Sequence, residues 1–253
     1  MWFDKAKELI NKTEGDVGLL VKNLATGEVF AHCEDERFPS ASTIKVPILL
    51  TLLDAAAEGR VELKTVSTVE PANVVGGSGI VQYLSDRVPF TLLDHATMMI
   101  DLSDNTSTNQ IIARVGMDTV NAKCRELGLK ETVLGRMMMD FEARKQGKDN
   151  FTCCRDMLVM FEIIYKNPDK YTLALKLLKQ QLFNSLLSLL TNTEELEFAH
   201  KTGGLEGVRH DVGIMYLDAP IFIALLTKNL KREPDGIRLA NEIGLLIYNE
   251  YKK

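Results

Sequence analysis

The chain has 253 residues, 45% hydrophobic and 26% charged, with 30 basic and 35 acidic side chains giving a net charge of −5. That length can bury a sizeable core, as one large domain or two small ones, and the composition is ordinary for a globular protein. No basic cluster offers a phosphate footprint, which excludes nucleic acid as an expected partner, and the longest apolar runs, residues 46–53 and 221–226, are too short to span a bilayer.

Residues 1–12 read as a short charged amphipathic helix. They lack an apolar h-region and a small-residue cleavage site, so they do not read as a signal peptide. The expected address is cytoplasmic, or extracytoplasmic if a signal was removed from this chain. Residues 17–22 and 28–33 alternate as two strands joined by a turn over 23–27. From Ser42 to about Glu58 the pattern is helical and apolar nearly all round, which belongs in a core; Pro47 falls just past the first turn. Thr91 and Asp94 form a capping-box pattern opening a helix to about Asp101.

Further helical patterns cover 106–115, 118–127, 153–166 and 171–189, and the long aperiodic stretch 135–150 reads as a functional loop. Strand patterns follow at 196–202, 208–217 and 221–227, with a closing helix over 236–251. Strands at both ends with helices between predict one sheet built from the two termini and an inserted helical lobe. Four cysteines (Cys33, Cys124, Cys153, Cys154) show neither C-x-x-C nor histidine at metal spacing, so they read as free thiols suited to a reducing compartment.

Three short segments carry chemistry: Ser42-Thr43-Ile44-Lys45, Ser103-Asp104-Asn105 and Lys201-Thr202-Gly203. Ser-x-x-Lys alone is weak, since roughly one match is expected by chance in a chain this long; the other two are each expected at well under roughly 0.1. Ser42 at a helix N-terminus sits among unpaired N–H groups at the positive end of the dipole, which favours an anion forming there. Lys45 lies one turn on, on the same face, within reach of the Ser42 hydroxyl. A lysine serves as base only when neutral, and burial together with a second cation, Lys201, pushes its pKa down.

Competing layouts fare worse. Residues 76–80 (Gly-Gly-Ser-Gly-Ile) fail the G-x-S-x-G elbow at the last position. The histidines are His32, His95, His200 and His210; His210-Asp211 on a strand is the weaker alternative base and orienter, a structural histidine being commoner. There is no P-loop, G-x-G-x-x-G or H-E-x-x-H, and Met137-Met138-Met139 reads as packing for the loop. No metal and no cofactor are expected.

The ordered trio resembles the signature of the class A β-lactamase and penicillin-binding superfamily of serine acyl-transferases. The resemblance runs from about Val17 to the C-terminus, and residues 201–213 are similar to the family's substrate-binding strand and turn. It implies an α+β fold: an antiparallel sheet flanked by terminal helices, packed on an all-helical lobe, with the site in the cleft. The division expected is residues 1–40 plus 192–253 for the sheet lobe and 41–191 for the helical lobe, with the active-site loop at about 135–152. Carried over, Ser42 is the nucleophile, Lys45 its activator, and Ser103 the proton relay to the leaving nitrogen. Asn105 holds the substrate's side-chain amide, Lys201 supplies positive potential, and Thr202 meets the substrate carboxylate. The Ser42 and Gly204 N–H groups form the oxyanion hole, and Arg209 is a further candidate anchor for that carboxylate.

One departure lies in the loop. The family carries a glutamate two residues after an arginine to activate the deacylating water; here Arg136 is followed by Met137 and then Met138. Asp140 and Glu142 are the nearest carboxylates that could substitute. The expectation is a monomeric serine hydrolase acting on a small-molecule acyl donor (a β-lactam, peptide or ester) with slow deacylation. The alternatives are a D-alanyl-D-alanine peptidase or small-ester hydrolase, and a non-catalytic sensor of β-lactams or muropeptides that works by being acylated.

Overall fold

The structure, a computed structural model, describes residues 1–85, 88–191 and 195–252. In chain order, α1 (Trp2–Lys12) precedes β1 (Asp16–Asn23), β2 (Val29–His32) and β3 (Phe38–Pro39). A 3-10 turn (Ala41–Ile44) then leads into α2 (Lys45–Ala57). Next come β4 (Val66–Ser67), β5 (Phe90–Thr91), α3 (Leu92–Asp101), α4 (Asn105–Val115) and α5 (Met117–Glu126). They are followed by α6 (Phe141–Lys145), β6 (Phe151–Thr152), α7 (Cys154–Lys166) and α8 (Pro168–Lys179). The chain closes with β7 (Glu197–Leu205), β8 (Val208–Tyr216), β9 (Pro220–Lys228) and α9 (Glu233–Tyr251).

Five strands form one antiparallel sheet in the order β2-β1-β9-β8-β7, so the first strand pairs with the last and the sheet joins the two ends of the described chain. Successive residues point to opposite faces. Leu19, Ile223 and Leu225 pack under α1 and α9 with Trp2, Ile10, Leu239 and Ile243, whereas Leu20, Val212, Phe222 and Ala224 face the helices that begin with α2. Both faces being covered, β1, β8 and β9 are buried almost throughout. Lys45 through Ala55 of α2 are all buried, as the all-round apolar pattern predicts. The Thr91–Asp94 capping box forms with both reciprocal bonds, at 2.8 and 3.0 Å. The expected lobe boundary at 192 lies outside the described residues.

Two expectations change. The helix predicted over 171–189 stops at Lys179, because tertiary partners claim the backbone beyond it. Leu182 N–H donates to Asp101 O, Leu187 N–H donates to Asp211 Oδ2, and Asn241 Nδ2 donates to Ser185 O and Leu186 O. Gly244 of α9 makes this docking possible, since a Cβ there would lie 1.8 Å from Leu187 O. The helix expected from Ser42 opens as a 3-10 turn and becomes α-helical only at Lys45.

Candidate active site

Ser42 is presented by a constrained turn. Ala41 before it has φ +45°, in the left-handed region that costs a non-glycine residue about 1–3 kcal/mol. Gly203 of β7 lies against the same turn: a Cβ there would sit 3.2 Å from both Ser42 N and Ala41 Cβ. The third segment thus reaches the first because its last residue is a glycine. Ser103 (φ +52°) and Met139 (φ +63°) are also left-handed, so three of the five non-glycine residues with positive φ among the described residues border this region.

The Lys45 ammonium position is fully buried and meets four oxygens: Ser42 Oγ at 3.0 Å, Ser103 O at 2.7 Å, Ser103 Oγ at 3.0 Å and Asn105 Oδ1 at 2.9 Å. Burial first, and the Lys201 charge second, hold its pKa well below the ordinary lysine value, against an opposing pull from Asp104. The acceptor set suits the neutral amine. Ser103 O and Asn105 Oδ1 can only accept, which matches the two N–H bonds of –NH2, and the lone pair is left for a hydroxyl proton. Asn105 Oδ1 faces Lys45 because its Nδ2 donates to Gly76 O at 3.1 Å.

Ser103 and Asn105 are held by Asp104 between them. Its carboxylate caps α4 through Ser107 N–H at 2.8 Å and accepts from Ile80 N–H at 2.7 Å and Val81 N–H at 2.9 Å. A Cβ at Gly79 would lie 2.1 Å from Asp104 Oδ2, so only glycine lets the 77–81 segment close over this carboxylate.

Lys201 is equally buried, its Nζ donating to Gln181 Oε1 at 2.9 Å and Thr202 O at 3.0 Å. Burial lowers its pKa to about 7, with Asp211 and Asp101 pulling the other way. Gln181 Oε1 also accepts from Thr202 N–H and Thr202 Oγ1, and its Nε2 donates to His200 O. Behind the strand, His200 Nδ1 lies 2.8 Å from Asp211 Oδ1, both side chains buried. The sequence reading missed Gln181 and the His200–Asp211 pair. Only the two-residue alternation that puts His200 and Lys201 on opposite faces could have hinted at the second.

His210 faces Pro39 O through Nε2 at 2.7 Å and accepts Thr227 N–H at Nδ1, and burial lowers its pKa to about 4. With both ring nitrogens engaged, it ties β8 to β3 and β9, and Asp211 serves His200 instead. Arg209 donates to Leu205 O and Val208 O and is ion-paired with Glu233 of α9, so its guanidinium is already occupied.

The 135–150 loop is pinned from both ends. Arg136 and Asp149 form a largely buried ion pair at 2.8 Å, and Asn150 Oδ1 accepts from Gly135 and Arg136 N–H. Asn109 of α4 clamps Met138 reciprocally, accepting from its N–H at 2.8 Å and donating to its carbonyl at 3.2 Å. Met138 lines a cleft of about 390 Å³ whose wall also includes Ser42, Asn105, Gly204, Phe141, Arg144 and Glu206. Asp140 instead caps α6 through Ala143 N–H, and Glu142 is exposed and paired with Lys145. Neither lines the cleft. Ser42, Lys45, Ser103 and Asn105 are thus brought into direct contact, Lys201, Thr202 and Gly204 share the adjoining strand, and Arg209, Asp140 and Glu142 are engaged elsewhere. Among the described residues no group of three or more His, Cys, Asp and Glu could hold a metal ion, and no helix is long and apolar enough to cross a membrane.

Residues 3–251 match the family model described as the beta-lactamase enzyme family. Beta-lactamase CARB-4 of Pseudomonas aeruginosa is 29% identical over 143 residues, 56% of this chain and 49% of that protein, so the match spans about half the length of this curated relative. Among solved structures, PBP-A superposes with a TM-score of 0.90 at 28% identity, covering 99% of this chain and 95% of that one. A beta-lactamase from Sphaerobacter thermophilus does so with a TM-score of 0.90 at 27% identity, covering 99% and 98%.

Proposed function

Since the chain belongs to the beta-lactamase enzyme family, we propose that it is a serine hydrolase that opens β-lactams or related amides and esters through an acyl-enzyme on Ser42. The observation that carries this reading is the contact at 3.0 Å between Ser42 Oγ and the buried Lys45 Nζ. In acylation the Ser42 proton passes to the neutral Lys45 amine as Oγ bonds to the substrate carbonyl carbon. The oxyanion formed is met by the Ser42 and Gly204 N–H groups. The C–N bond then breaks, and the leaving nitrogen takes a proton from the Ser103 hydroxyl, which Lys45 replenishes across 3.0 Å. Lys201 and Thr202 attract the substrate carboxylate, for which the Thr202 hydroxyl turns from Gln181.

Hydrolysis of the resulting ester requires an activated water. Met138 lines the cleft where the family's glutamate is expected and offers no base, so deacylation is slow. That favours as a second reading a penicillin-binding role, in line with the similarity to PBP-A, one mutant of which was solved as an acyl-enzyme complex with penicillin G. Intact-protein mass spectrometry with peptide mapping tests the nucleophile, and burst kinetics on a chromogenic cephalosporin beside a simple thioester test the turnover. A single burst equivalent on Ser42 with a weak steady state is expected. An adduct on Ser78 or Ser103, or none with any donor, overturns the reading.

A further inference from the structure

Resting on that acylation reading, we propose that the loop end of the cleft is a subsite for acyl side chains that carry both an aryl group and a carboxylate. Two guanidiniums border it, Arg136 and Arg144, with a single carboxylate, Asp149, between them. Arg136 is only 7% exposed; its Nε holds Asp149 Oδ1 at 2.8 Å and its Nη1 donates to Met137 O at 3.1 Å. Nη2 has no hydrogen-bond partner among the described residues. Arg144 approaches Asp149 Oδ2 through Nε at 3.1 Å, and both of its Nη groups are likewise without partners there. Asp149 is fully used, its Oδ1 also accepting Asn150 N–H at 2.9 Å. The cluster therefore carries one uncompensated positive charge and free planar donors suited to a second carboxylate.

Phe141, 50% exposed, lies on the same wall beside Met138 and Met139. An exposed ring next to adaptable thioethers is a platform for an aryl group, and neither contact requires burying an unpaired polar atom. Glu206, on the turn between β7 and β8, brings the opposite sign to the strand side of the cleft. The side-chain carboxylate is thereby directed toward the loop, apart from the substrate carboxylate assigned to Lys201 and Thr202.

The test uses benzylpenicillin, its α-carboxy derivative and its α-amino derivative. Their binding to the full chain carrying Ser42→Ala is measured by NMR chemical-shift titration, which needs no acylation. The α-carboxy derivative is expected to bind about two- to fivefold more tightly than the α-amino one, the range for a partly exposed charge pair. Arg144→Ala in the same background abolishes that ratio and leaves benzylpenicillin within about twofold; Arg144→Glu reverses it; Phe141→Ala weakens all three together. An unchanged ratio in Arg144→Ala and Arg144→Glu overturns the subsite, as does failure of all three to bind. Acylation of Ser42 in the unaltered protein is followed separately by mass spectrometry. Its absence overturns the proposed function, while the binding ratio still decides the subsite.

Discussion

At the scale of single residues, two buried lysines divide the work. Lys45 sits among acceptors suited to a neutral amine, and Lys201 carries a charge that burial opposes, its pKa being lowered to about 7. Replacing Lys45 with alanine is expected to slow acylation by about 10²–10⁴-fold, the usual worth of a positioned base. His210→Ala should leave the acylation rate within a few-fold and instead lower stability by about 1–3 kcal/mol, because Pro39 O and Thr227 N–H lose their partner. Paired stopped-flow and urea measurements on the two variants check this, and the reverse ranking of rates would restore a histidine base. The lysines also set the pH profile. The second-order acylation constant should fall on the acid side as Lys45 takes a proton. For donors bearing a carboxylate it should fall again above about pH 7, as Lys201 loses its charge. A neutral ester should lack the alkaline limb. The stability sign is opposite: the folded value near 7 lies below the ordinary 10.5, so the unfolded chain binds more protons between them and Lys201 makes the fold more stable as pH rises through that window.

At the scale of elements, the proposed function makes the 135–150 loop the segment that sets what happens after acylation. Its backbone is fixed independently of the Met138 side chain, by the Arg136–Asp149 pair and the Asn109 clamp. Met138→Glu should therefore put a carboxylate in the cleft without rebuilding the loop, and raise steady-state turnover by up to about 10²-fold while leaving the burst intact. Met138→Gln, isosteric and without a base, should not. Equal turnover in both variants would show that water is activated from elsewhere. The same loop marks how far the sequence could be read. The three segments that meet in the candidate site were legible because each is contiguous and its residue types are chemically specific. Arg136–Asp149 and Asn109–Met138 were not, because each joins residues 13 and 29 positions apart with no periodicity linking them. The over-long helix at 171–189 has the same origin. Its apolar spacing is real, but side chains from β8 and α9 and the backbone of α3 claim its peptide groups.

At the scale of the molecule, the cleft depends on a sheet that holds two apolar layers at once. The layer under α1 and α9 and the layer that includes α2 share strands β1, β8 and β9, whose alternate residues enter one or the other. Neither layer can lose its partner without exposing a face of those strands, so the molecule should unfold as one cooperative unit. The single tryptophan makes this testable. Trp2 lies in the outer layer against Phe30, ring centroids 5.3 Å apart, and Tyr251, 6.3 Å apart, whereas most of the helices detected by circular dichroism lie in the other layer. Tryptophan fluorescence and far-ultraviolet circular dichroism should therefore give coincident urea transitions with one midpoint and one slope. Acylation of Ser42 by a chromogenic donor should be lost over the same range, because Gly203 on β7 braces the Ser42 turn directly. An earlier fluorescence transition with acylation retained would mean that α1 and α9 peel away from a sheet that the helical side suffices to hold.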